Sequence, residues 1–264
     1  MKEIAHRFDD SAAYERFMGR WSRAAAVEFL DWIAVPVGAA WLDVGCGTGI
    51  FTELVLDRCA PSAVTGVDPS AAQVDHAARQ PAGERARFLV ADAQALPFED
   101  AAFDVVASAL VVNFIPDRPR AVREMRRVGR PAGRVVGYVW DFEAERSPSR
   151  PMRLGMRRAG IDVPAIPGQR DSTLAALHSL FEAAGLIEVE TTSIEVTVPF
   201  TDFDDFWKSQ TPSYSPTTHA IDAMSEGDRR RLMDSVKREL PIAADGTIAY
   251  AARANAIKAR IAAR

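Results

Sequence analysis

Short apolar runs alternate with amphipathic segments along the first half of the chain. Apolar runs that end at glycine, aspartate or a polar loop predict strands at 40–44, 63–67, 86–90, 103–112 and 134–139. Between them, apolar residues at three- and four-residue spacing predict helices at 50–58, 71–79 and 118–128. Strands that alternate with helices indicate a parallel sheet that is covered by helices on both faces and joined by right-handed crossovers.

The chain ahead of the first strand predicts a longer amphipathic helix. Apolar residues recur at three- and four-residue steps from Asp10 to Ile33, and Gly19 is a position where the helix could break. We assign residues 1–35 to N-terminal helices that form a lid, and residues 36–141 to the sheet core. The lid is expected at the open edge of the sheet, because it falls outside the strand-helix repeat.

Two irregular stretches interrupt the second half of the chain. Residues 142–170 carry four prolines among basic residues, and residues 200–240 form the second stretch. We expect both to be insertions that cap the sheet, within a single domain that spans residues 1–264.

The remaining segments continue the strand and helix pattern. The spacing predicts a helix at 172–184, with Gly185 as its C-cap, and then a strand at 187–198. Residues 247–261 alternate at first as a strand does, whereas their later alanine and arginine content favours a helix. The pattern leaves both possibilities open for this last segment.

Composition and charge exclude several classes of protein. The chain is 48% hydrophobic and 26% charged, which are ordinary globular values, and its net charge is −4. This balance lacks the attraction that non-specific binders of nucleic acids or anionic membranes need, so we expect neither partner. Cys46 and Cys59 lack metal-ligand spacing, so no metal is expected. Charged residues near Met1 argue against a signal peptide, and we expect a cytoplasmic monomer or homodimer.

Glycines and acidic residues gather where the predicted strands end, which is where ligands bind in open parallel sheets. Glycines in LDVGCGTG at 42–49 allow a sharp turn and a close approach to a ligand. Asp68 ends the second strand, where a carboxylate can accept hydrogen bonds from ribose hydroxyls. Asp43 and Asp92 also lie near strand ends, and Asp92 is placed to accept from an adenine amino group. The three loops lack a phosphate-binding Lys or Arg, so an adenosine without phosphate and with positive charge is the expected ligand.

An NAD(P)-dependent oxidoreductase is one alternative for a sheet of this kind. Its dinucleotide fingerprint, G-x-G-x-x-G, would need a glycine where this chain has Ile50. The chain also lacks the Tyr-x-x-x-Lys pattern of one group of such enzymes. Both observations disfavour this alternative.

Five motifs together resemble the class I S-adenosylmethionine-dependent methyltransferases, specifically the small-molecule subset called methyltransferase type 11. They are LDVGCGTG at 42–49, VTGVDPS at 64–70, ADAQALPFED at 91–100, FDVVASALVVNFIPD at 103–117 and REMRRVGRPAGRV at 123–135. The resemblance covers about Ala40 to Val139. It implies a Rossmann-like doubly wound α/β fold, with a mostly parallel seven-stranded sheet, helices on both faces and inserted cap segments.

The resemblance also implies a site for S-adenosylmethionine. The methionine part would lie near the glycine loop, the ribose at Asp68, the adenine beside the second and third strand ends, and the methyl group at 111–113. The segment 14–22 is similar to one that covers the cofactor in related proteins and offers a tyrosine and an arginine to its carboxylate. The implied cofactor-binding residues are Tyr14, Arg20, Asp43, Gly45, Gly47, Asp68, Pro69, Asp92, Ala93 and Asn113.

The implied reaction is methyl transfer to an oxygen, nitrogen or carbon atom of a small molecule. Side chains expected to face that substrate come from the end of the predicted strand 134–139 and from the second insertion. They are Trp140, Trp207, Tyr214 and His219. Packing within the insertion is an equal alternative for each aromatic residue. A module that binds the cofactor without transferring a methyl group also remains open, and no residue is identified as a base. Residues 113–116 read Asn-Phe-Ile-Pro and do not match the Asn/Asp-Pro-Pro-aromatic motif of base amino-methylases.

Overall fold

A computed structural model of the chain describes residues 18–212 and 216–263, and the structural statements below concern these residues. They contain a seven-stranded sheet in the order β3-β2-β1-β4-β5-β7-β6, in which β7 runs antiparallel to both of its neighbours. The strands are β1 (Ala40–Val44), β2 (Ala63–Asp68), β3 (Arg87–Val90), β4 (Phe103–Ala109), β5 (Gly129–Trp140), β6 (Ile187–Phe200) and β7 (Ile248–Arg260).

Nine α-helices accompany the sheet in the part of the chain that the structure describes. They are α1 (Arg20–Ile33), α2 (Ile50–Arg58), α3 (Ala71–Arg79), α4 (Arg118–Val128), α5 (Arg150–Arg158), α6 (Leu174–Ala183), α7 (Phe203–Gln210), α8 (Pro216–Asp222) and α9 (Glu226–Lys237). Short 3₁₀ turns occupy Pro81–Glu84, Val112–Phe114 and Gln169–Ser172.

Hydrophobic side chains cover the central strands on both faces of the sheet. Trp41 and Tyr138 pack with α1 and α2 in one buried layer, and Leu42 and Val135 pack with α4 and α6 in the other. Successive residues of a strand point to opposite faces, so a strand that is covered on both sides is apolar throughout. The structure therefore confirms the predicted doubly wound α/β fold.

The core elements agree closely with the sequence pattern, and two strands differ from it by more than one residue. The helices at 50–58, 71–79 and 118–128 begin and end where the spacing predicts. The predicted strand 103–112 instead ends at Ala109, because Leu110 takes a left-handed backbone conformation with φ +63°. The chain then makes the 3₁₀ turn Val112–Phe114. Hydrogen bonding to β4 and β7 lengthens the predicted strand 134–139 to the full range of β5.

The last segment of the chain is a strand, which resolves the alternative that the pattern left open. β7 lies between β5 and β6, and its alanines at 252, 254 and 256 are fully buried on the side of α1. That side carries large aromatic rings, including Trp21 and Phe29. We infer that the alanine content, which suggested a helix, instead makes room for these rings.

β6 and β7 continue past the end of β5 as a two-stranded arm, in which residues 195–200 pair with residues 248–253. Trp21 of α1 packs on this arm, with ring centroids 4.9 Å from Tyr250 and 6.3 Å from Phe200. Phe206 of α7 lies 5.5 Å from Phe200. The arm thus holds the N-terminal helix and the second insertion at the carboxyl edge of the sheet. The predicted helix 10–33 is described only from its later part, and residues 10–17 lie outside the described residues.

The two insertions contain helices and pack against each other. The first, expected to be irregular, includes α5, and the second includes α7, α8 and α9. α5 and α9 approach closely at Gly155, where an added Cβ would lie 2.4 Å from a methyl group of Val236. The close approach makes one cap from two segments that are distant in sequence. No helix of the described ranges has the length and apolar character needed to cross a membrane.

Candidate functional site

The glycine loop after β1 has one crowded and one open glycine. Gly45, Gly47 and Gly49 all have positive φ, at +81°, +52° and +88°. A Cβ added at Gly45 would lie 2.5 Å from both methyl groups of Val111, so the loop touches the turn that follows β4. A Cβ added at Gly47 would meet no described atom within 4 Å. The loop therefore presents its backbone to open space at Gly47, as a ligand cradle requires.

Asp68 ends β2 and joins that strand to the glycine loop. One carboxylate oxygen accepts from the Gly47 N–H at 3.0 Å, and the other accepts from the Ser70 N–H at 2.9 Å. Burial raises the pKa of Asp68, while these two backbone hydrogen bonds lower it. Each oxygen retains capacity for a further donor. The side chain is thus fixed beside the open space over Gly47 and can still accept hydroxyl groups.

Asp43 lies beneath the loop instead of facing its open side. Its side chain is only 2% exposed, and Oδ2 accepts from the Thr52 hydroxyl at 2.7 Å. Oδ1 has no hydrogen-bond partner among the described residues. Burial raises the pKa of Asp43 to about 7, and the nearby charge of Asp68 raises it further. The hydrogen bond from the Thr52 hydroxyl opposes both effects. Thr52 is a residue that the pattern did not reveal, because nothing in the motif marks one hydroxyl on α2 as facing an acid.

The third predicted acid lies on the neighbouring strand end. β2 and β3 pair so that Asp68 is opposite Val90, two residues before Asp92. Asp92 is exposed, and its Oδ1 accepts from the Gln94 N–H at 2.8 Å, which lowers its pKa. Pro69 is also exposed, and Ala93 is half-buried. The structure therefore brings the predicted adenine-side residues to the ends of two adjacent strands.

The end of β4 combines backbone strain with a buried amide whose oxygen has no hydrogen-bond partner among the described residues. Leu110 holds φ +63° while its N–H donates to the Tyr138 carbonyl at 2.7 Å. Such a conformation costs on the order of 1–3 kcal/mol in a non-glycine residue, and it is often found at functional sites. Asn113 is 1% exposed, its Nδ2 donates to the Pro167 carbonyl at 3.3 Å, and its Oδ1 has no described partner. Its side chain therefore contacts the first insertion.

Arg20 occupies a different place from the one that the resemblance implied. Its two terminal nitrogens donate to the Asp205 carboxylate of α7 at 2.8 and 2.9 Å, and its guanidinium lies 5.5 Å from the Phe200 ring centroid. Hydrogen bonding by Arg20 lowers the pKa of Asp205. The pair uses two of the five guanidinium N–H donors, and the Arg20 side chain is 49% exposed, so Arg20 keeps donors for a further carboxylate. Tyr14, the partner implied with Arg20, lies outside the described residues.

Two of the predicted substrate residues, Trp140 and Trp207, belong to the same apolar cluster of the core. Trp140 is 3% exposed and packs edge-on against Trp21, with ring centroids 6.3 Å apart. Trp207 is half-buried against Phe203, 5.8 Å away, whereas His219 is exposed on α8. Tyr214 lies outside the described residues. The burial of Trp140 gives it a packing role, and substrate contact remains a prediction for the others.

The described ranges contain no group of three or more His, Cys, Asp or Glu side chains placed to hold a metal ion.

Known proteins are similar to this chain in sequence and in fold. A family model described as a methyltransferase domain matches residues 42–137. The chain is 33% identical over 167 residues to the 2-methyl-6-phytyl-1,4-hydroquinone methyltransferase of a Synechocystis species. The aligned region covers 62% of this chain and 52% of that protein. It is 33% identical over 132 residues to the malonyl-[acyl-carrier protein] O-methyltransferase of Serratia marcescens, with 48% and 50% covered. The chain thus spans about half the length of these curated relatives.

A solved structure agrees with the fold over nearly the whole chain. It is the phosphoethanolamine N-methyltransferase 2 of Haemonchus contortus in complex with S-adenosylmethionine, with a TM-score of 0.60 and 18% identity. The superposition covers 99% of this chain and 59% of the Haemonchus chain. At this identity the likeness shows the fold, and the family model shows which residues carry the common domain. The glycine loop and the strand-end acids all lie within residues 42–137, the part of the chain that is similar to a methyltransferase domain.

Proposed function

We propose that this chain transfers a methyl group from S-adenosylmethionine to an oxygen, nitrogen or carbon atom of a small molecule. The observation that carries the proposal is the Asp68 carboxylate, held by the Gly47 N–H at 3.0 Å beside the open space over that glycine. A carboxylate at the end of the second strand can accept both hydroxyl groups of a ribose. The match of residues 42–137 to a methyltransferase domain supports this assignment.

The described residues offer a fitting contact for each part of the cofactor. The backbone of Gly45 and Gly47 would face the methionine part, since a side chain at Gly47 would fill the space that the ligand needs. Asp92 and Ala93, at the end of the adjacent strand, would face the adenine together with Pro69. Asp43 would act from below, by holding the start of α2 through Thr52 and so supporting the loop.

The turn after β4 is the place where the acceptor would meet the methyl group. When bound, S-adenosylmethionine supplies a methyl group that is already activated on a sulfonium. The task of the protein is then to orient the acceptor, and holding the reacting atoms at roughly 3–3.5 Å can contribute about 7–11 kcal/mol. Leu110 and Asn113 would shape this end of the site, the first through its strained backbone and the second through its buried amide. We assign no general base.

Relatives whose names contain different acceptors support a small-molecule acceptor without selecting one. The Synechocystis relative is named for a hydroquinone, and the Serratia relative is named for a malonyl group on acyl-carrier protein. Trp207, Tyr214 and His219 remain the residues that we expect to approach the acceptor. A function in which the cofactor is bound without methyl transfer is the alternative that the experiments must separate.

The binding part of the proposal predicts a specific loss in Asp68→Ala. Two ribose hydroxyls that donate to one carboxylate should contribute about 1.5–3 kcal/mol, so binding of S-adenosylhomocysteine should weaken about 10- to 150-fold. Calorimetric titration measures this directly. Asp75→Ala, at an exposed aspartate of α3, is the matched control and should leave affinity unchanged. An unchanged affinity in Asp68→Ala would refute the ribose assignment.

Transfer itself is tested with a panel of small acceptors. The protein is incubated with S-adenosylmethionine and each acceptor, and S-adenosylhomocysteine and methylated product are measured by mass spectrometry. We expect equal amounts of the two products with at least one acceptor. Tight binding of S-adenosylhomocysteine, with no product from a broad panel that includes hydroquinones and acyl thioesters, would favour the binding module instead.

A further inference from the structure

Positive charge is concentrated on one side of α5, in the first insertion. Arg150, Arg153 and Arg157 lie three and four residues apart, so they share one face of the helix. All three line a small cavity, together with Phe142, Glu145, Ser147, Leu154 and Ile166. The enclosed volume is about 10 Å³, enough for about one water molecule, so an added group would lie at the mouth of the cavity, among the arginine side chains.

The positive charges of this cavity are only partly neutralised. Glu145 is its single lining carboxylate, and it pairs with Arg157. Arg153 donates to the Pro164 carbonyl at 2.8 Å, which is an uncharged partner, and Arg150 has no ion pair among the described residues. Burial and, after it, the charge of Arg157 lower the pKa of Arg153, while Glu145 opposes them. Arg153 is half-buried with only an uncharged hydrogen-bond partner, and Arg150 is exposed one turn away, so this face of the helix favours an added anion.

The cavity adjoins the end of the site where the acceptor is expected. Its lining residue Phe142 packs edge-on against Phe114, with ring centroids 6.1 Å apart. Phe114 belongs to the turn after β4, and Val111 at the start of that turn contacts the glycine loop at Gly45. A continuous set of contacts therefore connects the arginine face to the cofactor loop.

Tight packing fixes the first insertion against the same turn. Asn113 donates its side-chain amide to the Pro167 carbonyl, next to the lining residue Ile166. A Cβ added at Gly168 would lie 2.0 Å from the Asn113 carbonyl oxygen, so the backbones of the two segments touch. The distance between the cavity and the cofactor site is thereby set by the fold.

We propose that Arg150 and Arg153 bind an anionic group, a carboxylate or a phosphate, of the molecule that accepts the methyl group. Arginine matches both anions, because its planar fork can donate two parallel hydrogen bonds. The inference rests on the proposed methyl transfer and narrows its substrate class to small molecules that carry a negative charge away from the methylated atom. Phe142 and Leu154 would contact the apolar part next to that charge.

The test follows the arginine side chains while simple anions are added. The full chain, labelled with ¹⁵N-arginine, is titrated with inorganic phosphate or with malonate at constant ionic strength, and the Nε–H signals are recorded. We expect saturable shifts of the Arg150 and Arg153 signals with one of the two anions. The anion with the higher affinity shows whether phosphate or carboxylate is the preferred group.

Variants make the test specific for this cavity. Arg153→Gln should weaken anion binding at least tenfold, whereas Arg158→Gln should change it less than twofold, because Arg158 pairs with Glu239 outside the cavity. Thermal unfolding and S-adenosylhomocysteine titration check that each variant is folded. Equal, non-saturable shifts at all arginines would overturn the anion site, even if S-adenosylhomocysteine binds normally. If the unmodified chain does not bind S-adenosylhomocysteine, that result would instead overturn the proposed function.

Discussion

The glycine-loop edge of the sheet and the cap over β5, β6 and β7 are held together in different ways. At the loop, backbone donors and buried acids meet over short sequence distances, as Gly47 meets Asp68 21 residues later and Thr52 meets Asp43 nine residues earlier. The cap depends on ion pairs and rings from distant segments, such as Arg20 and Asp205, 185 residues apart. A backbone cradle has little freedom to adjust, whereas exposed ion pairs can open. The difference suits the proposed function, in which the loop would bind the cofactor and the cap would adjust to the acceptor.

The largest expected effect is a loss of ligand affinity at the glycine loop. Gly47→Val places a branched side chain in the open space over the loop and should weaken S-adenosylhomocysteine binding at least a thousandfold, about 4 kcal/mol. Gly38→Val is the matched control, because Gly38 also has positive φ, at +81°, with no described atom within 4 Å, and precedes β1 at the opposite edge of the sheet. Both variants should lose similar stability in urea, but only the first should lose binding in calorimetry. A folded Gly47→Val protein with normal affinity would show that the loop is not the site.

A second effect on the loop side concerns stability and pH. Because the pKa of Asp43 in the folded chain is about 7, the fold takes up a proton there that the unfolded chain has already released. Asp43 therefore stabilises the fold below the ordinary carboxyl pKa, and this contribution is lost as pH rises to about 7. Between pH 5 and pH 8 the loss should be about 3 kcal/mol.

Asp43→Asn should remove this pH dependence, since an amide keeps an acceptor for Thr52 and does not ionise. Relative to the unmodified chain, the variant should gain stability on going from pH 5 to pH 8, measured as the difference in free energy of unfolding in urea. A difference that stays constant with pH would contradict the account of a buried, half-satisfied acid beneath the loop.

The smallest effect concerns the cap. The Arg20 side chain is 49% exposed and that of Asp205 is 23% exposed, so solvent screens their pair and a coupling of about 0.2–1 kcal/mol is expected. A double-mutant cycle with Arg20→Gln and Asp205→Asn measures this coupling from unfolding free energies. The single-contact surface pair Arg58–Asp31 serves as a control and should couple less strongly. Zero coupling for Arg20 and Asp205 would mean that aromatic packing alone holds α1 to α7.

The sequence pattern predicts the loop side well because its determinants are local. Apolar runs ending in glycine or aspartate locate β1 and β2, and helical spacing bounds α2, α3 and α4. The pattern could not show that β4 ends at Ala109, because leucine rarely takes the positive φ that Leu110 adopts. Nor could it separate the buried Asp43 from the accessible Asp68, since both simply follow apolar residues.

The cap was less predictable because its structure depends on contacts between distant residues. Proline and arginine content indicated an irregular first insertion, yet α5 forms there with Pro151 in its first turn, where a missing N–H costs nothing. The alanines of β7 are explained by the aromatic rings of α1 that pack against them, and this contact joins segments that are distant in sequence. The partner of Arg20 likewise became known only from the folded chain.

Parallel calorimetric titrations of S-adenosylhomocysteine and NADH into the unmodified protein test the central claim most directly. The glycine loop with Asp68 as a ribose acceptor and Ile50 in place of a third fingerprint glycine predicts a saturable one-to-one isotherm for S-adenosylhomocysteine. NADH should bind at least a hundredfold more weakly. Binding of NADH as tight as that of S-adenosylhomocysteine, or no binding of S-adenosylhomocysteine, would contradict the account.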